Sequence, residues 1–202
     1  MIKVTLLGDS IRWYYGQVVP GMLGDDYEVW MPEENGRFAK YTLRGLFDWK
    51  EQMEGTRIVH WNNGLWDLSD LFGDGLFTPE EEYVNTVMRI ADLLLKQYDK
   101  VIFATTTPVS PQNEYNKNAD IRRYNELVVP RLREKGVIIN DLYSIMASDL
   151  DRYISDDRIH PNPEGVQVLG RQVTEAIRAA AAELPSADSN TKAGCKGPGA
   201  PV

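Results

Sequence analysis

The sequence predicts one doubly wound α/β domain built on a five-stranded parallel sheet, and three observations predict it. Five short apolar runs recur along the chain, separated by segments with helical spacing. Four of the five are rich in Val, Ile or aromatics and nearly continuous, the signature of strands buried on both faces. Polar residues of the kinds that carry chemistry follow each run, at the edge where open α/β sheets bind ligands.

The first run, residues 3–7, ends in Gly8-Asp9-Ser10. The other strands are expected at residues 27–31, 57–61, 101–105 and 137–140. Residues 43–53 and 121–135 read as helices, and Pro130 should kink the second or mark its first turn. Thr78-Pro79-Glu80-Glu81 has the form of a capping box with proline at the first helical position. It opens a helix in which Tyr83, Val84, Val87, Met88, Ala91, Leu94 and Leu95 share one apolar face. Asn162-Pro163-Glu164 opens the last helix, which runs through Val166, Leu169, Val173 and Ile177 to an alanine run ending near Pro185. The domain is therefore expected over residues 1–185. Residues 186–202 are mostly Gly, Ser, Ala and Pro, too little apolar surface to order themselves, and read as a disordered tail.

Composition excludes several function classes. A chain of 202 residues holds one domain with a sizeable core. A net charge of -8 argues against nucleic acid as a partner, since phosphates need a basic face. Cys195 is the only cysteine, so no intramolecular disulfide forms and a cysteine-based metal site is disfavoured. No signal-peptide pattern and no spanning run of ~18 apolar residues occurs, so a cytoplasmic location without a membrane partner is expected. Asp149, Asp151, Asp156 and Asp157 lack the glycine-spaced loop of a calcium site, and neither a Walker loop nor a Rossmann glycine fingerprint occurs. No metal or organic cofactor is expected, and the oligomeric state is left open.

The candidate site follows from where the polar residues fall. Ser10 follows the first strand, Asn35 and Gly36 the second, and Asn62, Asn63 and Gly64 the third. Thr106, Thr107 and Pro108 follow the fourth, and Asp157 and His160 lie after the fifth in Asp-Arg-Ile-His-Pro. Taken alone, Gly-Asp-Ser is more often an ordinary helix cap and Asp-x-x-His-Pro more often an ordinary turn. Converging on one sheet edge, they supply a serine nucleophile, a histidine base and a carboxylate to orient it. His60, the other histidine, lies inside a strand and reads as a hydrogen-bonded core residue. Trp13, Tyr14, Tyr15, Trp61 and Trp66 flank the site in sequence, where core and rim packing is the favoured reading over a stacking surface for substrate.

These residues resemble the SGNH hydrolases, also called the GDSL esterase and lipase family, over roughly residues 2–182. Gly8-Asp9-Ser10 matches the nucleophile block, and Asp157 and His160 match the final Asp-x-x-His block. Gly36, in Pro32-Glu33-Glu34-Asn35-Gly36-Arg37, takes the place of the glycine whose amide helps form the oxyanion hole. The third block departs: Gly-x-Asn-Asp is met by Gly64-Leu65-Trp66-Asp67, with tryptophan in place of the asparagine donor. One such donor is worth ~2.7–4 kcal/mol of transition-state stabilisation. Asn62 or Asn63 could supply the carboxamide, and Asn63 is favoured.

The resemblance implies a flavodoxin-like three-layer fold and a serine esterase. Ser10, His160 and Asp157 form its triad, and the amides of Ser10 and Gly36 with Asn63 form the oxyanion hole. Arg12, Asn35, Arg37 and Trp66 are the expected substrate contacts. The loops read as moderate and polar without a lid, which favours a short acyl group, such as acetate on a carbohydrate. A lysophospholipase or thioesterase is the alternative within the same chemistry, and a non-catalytic glycan-binding module the alternative outside it.

Overall fold

The computed structural model describes residues 1–185; residues 186–202, the expected tail with Cys195, lie outside the described residues. The apolar runs form β1 (Ile2–Leu7), β2 (Tyr27–Trp30), β3 (Ile58–Trp61), β4 (Lys100–Ala104) and β5 (Ile138–Asn140). All neighbouring pairs are parallel and the spatial order is β2-β1-β3-β4-β5. Burial explains which runs are the most apolar. Every residue of β3 and the last four of β1 are buried, whereas the edge strand β2 has none that is.

The helices are α1 (Ser10–Gly16), α2 (Val19–Leu23), α3 (Ala39–Asp48), α4 (Glu80–Gln97), α5 (Asn118–Glu134), α6 (Leu142–Ala147), α7 (Leu150–Tyr153) and α8 (Pro163–Ala182). Helix α8 packs against α1, α2, α6 and α7 on one face of the sheet, and α4 against α3 and α5 on the other. The result is the three-layer arrangement that a parallel sheet needs to bury both faces. None of the helices of the described residues is long and apolar enough to cross a membrane.

Two local expectations are revised. Helix α3 begins at Ala39 and ends at Asp48, several residues earlier than the spacing suggests. Its first N–H is capped from afar, because Asp67 Oδ2 accepts from Ala39 N at 2.9 Å. Helix α4 begins at Glu80 with Pro79 as its cap residue, so Thr78 makes no cap hydrogen bond and the capping box does not form. Pro130 sits inside α5 on its exposed side. Glu126, whose carbonyl loses the N–H that a residue other than proline would supply four positions on, is likewise exposed. The cap on α8 forms as expected: Asn162 Oδ1 accepts from Glu164 N at 3.0 Å and from Gly165 N at 2.9 Å.

The strand order reverses between β1 and β3, since the chain runs outward to β2 before crossing back. Such a switch point opens a crevice beyond the carboxyl ends of the two strands. Ser10 follows one of them and the 62–67 loop the other.

Candidate active site

Ser10 is the first residue of α1, and Asp9 is the cap: its Oδ1 accepts from Ile11 N at 3.0 Å. Gly8 precedes them at φ +147°, and a Cβ there would lie 2.2 Å from Asn62 Oδ1. Only glycine lets β1 turn this closely beside the β3 loop. The Ser10 N–H, at the open end of α1, has no hydrogen-bond partner among the described residues.

Ser10 Oγ lies 2.8 Å from His160 Nε2, and His160 Nδ1 lies 2.6 Å from Asp157 Oδ2. The three residues come from opposite ends of the chain and form one continuous hydrogen-bonded line. The turn holding Asp157 and His160 is closed by the bridge Ile154–Pro161 and by Ser155 N donating to His160 O at 2.8 Å. Asp157 Oδ1 accepts from the backbone N–H groups of Ile159 and His160, both at 2.9 Å, and from Ser155 Oγ at 2.8 Å. Burial opposes ionisation of Asp157. These donors and the His160 ring outweigh it and hold the carboxyl well below the usual carboxylate range. Arg158 takes the left-handed conformation, φ +69°, and its carbonyl accepts from Ser110 N at 3.0 Å, tying the turn to the loop after β4. Tyr14 stacks on the His160 ring, with centroids 5.0 Å apart.

Beneath this surface runs a second polar line. Gln172 Nε2 donates to Asn140 Oδ1 at 3.0 Å, and Asn140 Nδ2 lies 3.0 Å from His60 Nε2. His60 Nδ1 lies 3.2 Å from Tyr15 OH, which donates to Asn62 Oδ1 at 3.0 Å. Asn62 Nδ2 then donates to Asp9 Oδ1 at 2.7 Å. One assignment satisfies every link: a neutral His60 with its proton on Nδ1. Burial pushes His60 down to about 3, consistent with that neutral form. The line ends on the carboxylate that caps the serine's helix. Burial raises Asp9 to about 6, opposed by its bonds from Ile11 and Asn62. Asp67, which caps α3, is likewise raised by burial, to about 7.

The remaining predicted residues divide. Asn35 and Trp66 line the space beside Ser10. Arg12 does not: it is 1% exposed, and its guanidinium donates to Pro32 O at 2.9 Å, Glu34 O at 2.5 Å and Gly8 O at 3.4 Å. It is the clamp that holds the 32–36 loop on α1. Arg37 sets its guanidinium over the Tyr41 ring, 4.8 Å from the centroid, and lines neither cleft beside Ser10. The substrate role expected of Arg12 is withdrawn, since its guanidinium is buried and engaged by the backbone.

Two expected oxyanion donors are already engaged. Gly36 N donates to Gly8 O at 2.9 Å. A Cβ on Gly36 would lie 2.4 Å from that same oxygen, so the glycine serves a close backbone approach. Asn63 is fully buried, and its Nδ2 donates to Thr42 Oγ1 at 2.9 Å and to Arg37 O at 3.1 Å. Both its amide protons are used, and its Oδ1, the atom left without a partner, is an acceptor.

Two clefts meet at Ser10. One, of about 500 Å³, is walled by Phe38, Leu65, Trp66, Leu71, Phe77 and Ile159. The other, of about 620 Å³, is lined by Trp13, Tyr14, Gln17 and Val166. The apolar wall was missed in the sequence, where the loop between β3 and α4 reads as polar. Its signal was there: Leu65, Trp66, Leu71, Phe72 and Phe77 fall outside any helical or strand period. Tyr15 and Trp61 are core residues, whereas Trp13, Tyr14 and Trp66 are the exposed rim. Among the described residues no group of three or more His, Cys, Asp or Glu side chains is placed to hold a metal ion.

No family model matches this chain, and no curated protein does. Solved structures do. An acetyl xylan esterase is 20% identical with a TM-score of 0.70, covering 87% of this chain and 100% of its own. The lipase/acylhydrolase from Enterococcus faecalis is 18% identical with a TM-score of 0.70, covering 89% and 96%. A GDSL-like lipase from Bacteroides thetaiotaomicron is 15% identical with a TM-score of 0.66, covering 88% of each chain. Likeness at such identities is a likeness of architecture, and with the five-stranded sheet and its order it establishes that the chain has the fold of the SGNH, or GDSL, hydrolases.

Proposed function

We propose that the protein is a serine ester hydrolase that works through an acyl-enzyme. The observation that carries this reading is the line from Asp157 through both nitrogens of His160 to Ser10 Oγ, at 2.6 and 2.8 Å. Ser10 Oγ attacks the ester carbonyl carbon while its proton passes to His160 Nε2. Asp157 stays ionised, orients the ring and stabilises its positive charge. The tetrahedral intermediate collapses as His160 returns the proton to the departing alcohol. Water, activated by the same ring, then attacks the acyl-serine, and the acid leaves with Ser10 restored.

For the substrate we propose a short-acyl ester, acetate foremost, of a polar alcohol such as a carbohydrate. The rim of Trp13 and Tyr14 with Gln17 supports it, offering aromatic faces and an amide to a sugar ring. The acetyl xylan esterase with the same fold supports it by analogy. One observation favours a longer acyl group: six apolar side chains wall the other cleft, more than acetate fills.

Hydrolysis of p-nitrophenyl acetate by wild type and Ser10→Ala tests the reaction. Turnover should vanish in the variant; activity that survives there removes the serine from the mechanism. Nitrophenyl esters of increasing chain length test the substrate. A maximum at acetate keeps the deacetylase reading, and a maximum at long chains replaces it with a lysophospholipase or thioesterase.

A further inference from the structure

We propose that the side-chain amide of Asn35 is an oxyanion donor of this site, acting beside the backbone N–H of Ser10. The inference rests on the serine-hydrolase reading and supplies the donor that reading lacks. A tetrahedral intermediate at Ser10 carries a full negative charge on oxygen, and one N–H is a sparse environment for it. The Gly36 amide and both protons of Asn63 are spent on Gly8, Thr42 and Arg37. Asn62 is buried and donates to Asp9 beneath the helix.

Asn35 differs from these in every respect. It is half-buried at the surface of the site, and Ser10, His160 and Asn35 are the three residues common to both clefts. Its Oδ1 accepts from Arg37 N at 2.8 Å. A backbone N–H only donates, so this bond fixes which end of the carboxamide is oxygen. The amide nitrogen is then the free end, and it has no hydrogen-bond partner among the described residues.

The loop that carries it is held from three sides. Arg12 grips the carbonyls of Pro32 and Glu34, Gly36 N is bonded to Gly8 O, and Arg37 O accepts from Asn63. Arg37 itself takes φ +48°, a conformation that this set of bonds over-determines. A donor fixed before the reaction needs no reorganisation when the charge develops, which is the condition for electrostatic catalysis.

Two variants separate this role from a structural one. Asn35→Asp keeps an acceptor for Arg37 N–H and the side-chain shape but replaces the donor with a carboxylate. Asn35→Ala removes the donor without adding charge. In both, kcat on p-nitrophenyl acetate should fall by about 10²–10³-fold with KM changed less than about threefold. The melting temperature of Asn35→Asp should stay at that of wild type. The kcat deficit of Asn35→Asp should persist to high pH, where the introduced carboxylate is ionised and has no proton to donate. Wild-type kcat in Asn35→Ala, or recovery of Asn35→Asp at high pH, overturns the proposal. Ser10→Ala in the same assay keeps the two levels apart. Activity lost in Ser10→Ala but intact in Asn35→Ala removes the donor alone, whereas activity surviving in Ser10→Ala removes the hydrolase reading and the donor with it.

Discussion

The two histidines of this chain each have partners at both ring nitrogens, but the partners differ in kind. His60 is fully buried between an amide donor, Asn140, and a tyrosine hydroxyl, both neutral. His160 lies at the surface between a carboxylate and a serine hydroxyl. A buried ring among neutral dipoles has nothing to compensate a positive charge, so desolvation keeps it neutral. A ring with a carboxylate on the far nitrogen can accept a proton from the serine and hold it. The same side chain is therefore a fixed strut below the sheet edge and, on the function we propose, a proton carrier above it.

Three measurements would break or sharpen that contrast. The largest effect is expected above the edge. His160→Ala and Asp157→Asn should lower kcat/KM on p-nitrophenyl acetate by about 10⁴-fold. The denaturation midpoint of His160→Ala should move little, because the turn is also held by the Ser155 N–H and the Ile154–Pro161 bridge, whereas Asp157→Asn should lose stability with the carboxylate that the fold holds ionised. A large stability loss in His160→Ala would make His160 a strut as well.

Below the edge the effect should be on stability. His60→Leu leaves Asn140 Nδ2 without its buried acceptor and removes the donor to Tyr15 OH, which keeps only its bond to Asn62 Oδ1. The expected cost is about 3 kcal/mol in urea unfolding, while kcat per folded molecule stays within a few-fold of wild type. A 10³-fold fall in kcat with unchanged stability would move His60 into the chemistry.

The smallest effect, and the sharpest, concerns Asp9, where the buried line meets the serine's helix. Its carboxyl titrates near 3.8 when unfolded and near 6 when folded. Between those values the folded state binds more protons, so this group makes stability fall as pH rises from about 4 to about 6. His60 acts with the opposite sign: unfolded, it binds a proton below about 6.5, and folded, only below about 3. Its contribution makes stability fall as pH drops through that window. Asp9→Asn keeps an acceptor for Ile11 N and Asn62 Nδ2 and removes the charge. Its stability relative to wild type should therefore rise by on the order of 2–3 kcal/mol between pH 4 and 6.5, read as a change in the slope of midpoint against pH. An unchanged slope would mean that Asp9 does not retain its proton in the fold.

Much of this architecture was legible because its signals are local. Strand positions agree to within a residue or two at each end, since a buried parallel strand is an apolar run whatever surrounds it. Asn162 announced the start of α8 because a cap is a contact between residues two and three apart. Thr78 misled for the complementary reason: a local cap signal gave way to the path of the chain. Asp67 was unreadable as the cap of α3, since it lies 28 residues away in sequence. Arg12 and Arg37 were placed at the site from proximity in sequence. A guanidinium reaches far enough that its target is set by which carbonyls and rings the fold brings within range.

By itself, the sequence determined the α/β class, the strand ends and the residue types that reach the switch point: Ser10, Asn35, the 62–64 loop, and Asp157 with His160. Periodicity, capping chemistry and the rule that parallel strands expose ligands at their carboxyl ends are enough for that. Only the tertiary structure decided which of those groups are free to act. A hydrogen-bond donor is available to a substrate only if nothing else in the fold has taken it. That condition is non-local, and it separates the amides of Gly36 and Asn63, spent on the scaffold, from those of Ser10 and Asn35, which have no partner among the described residues.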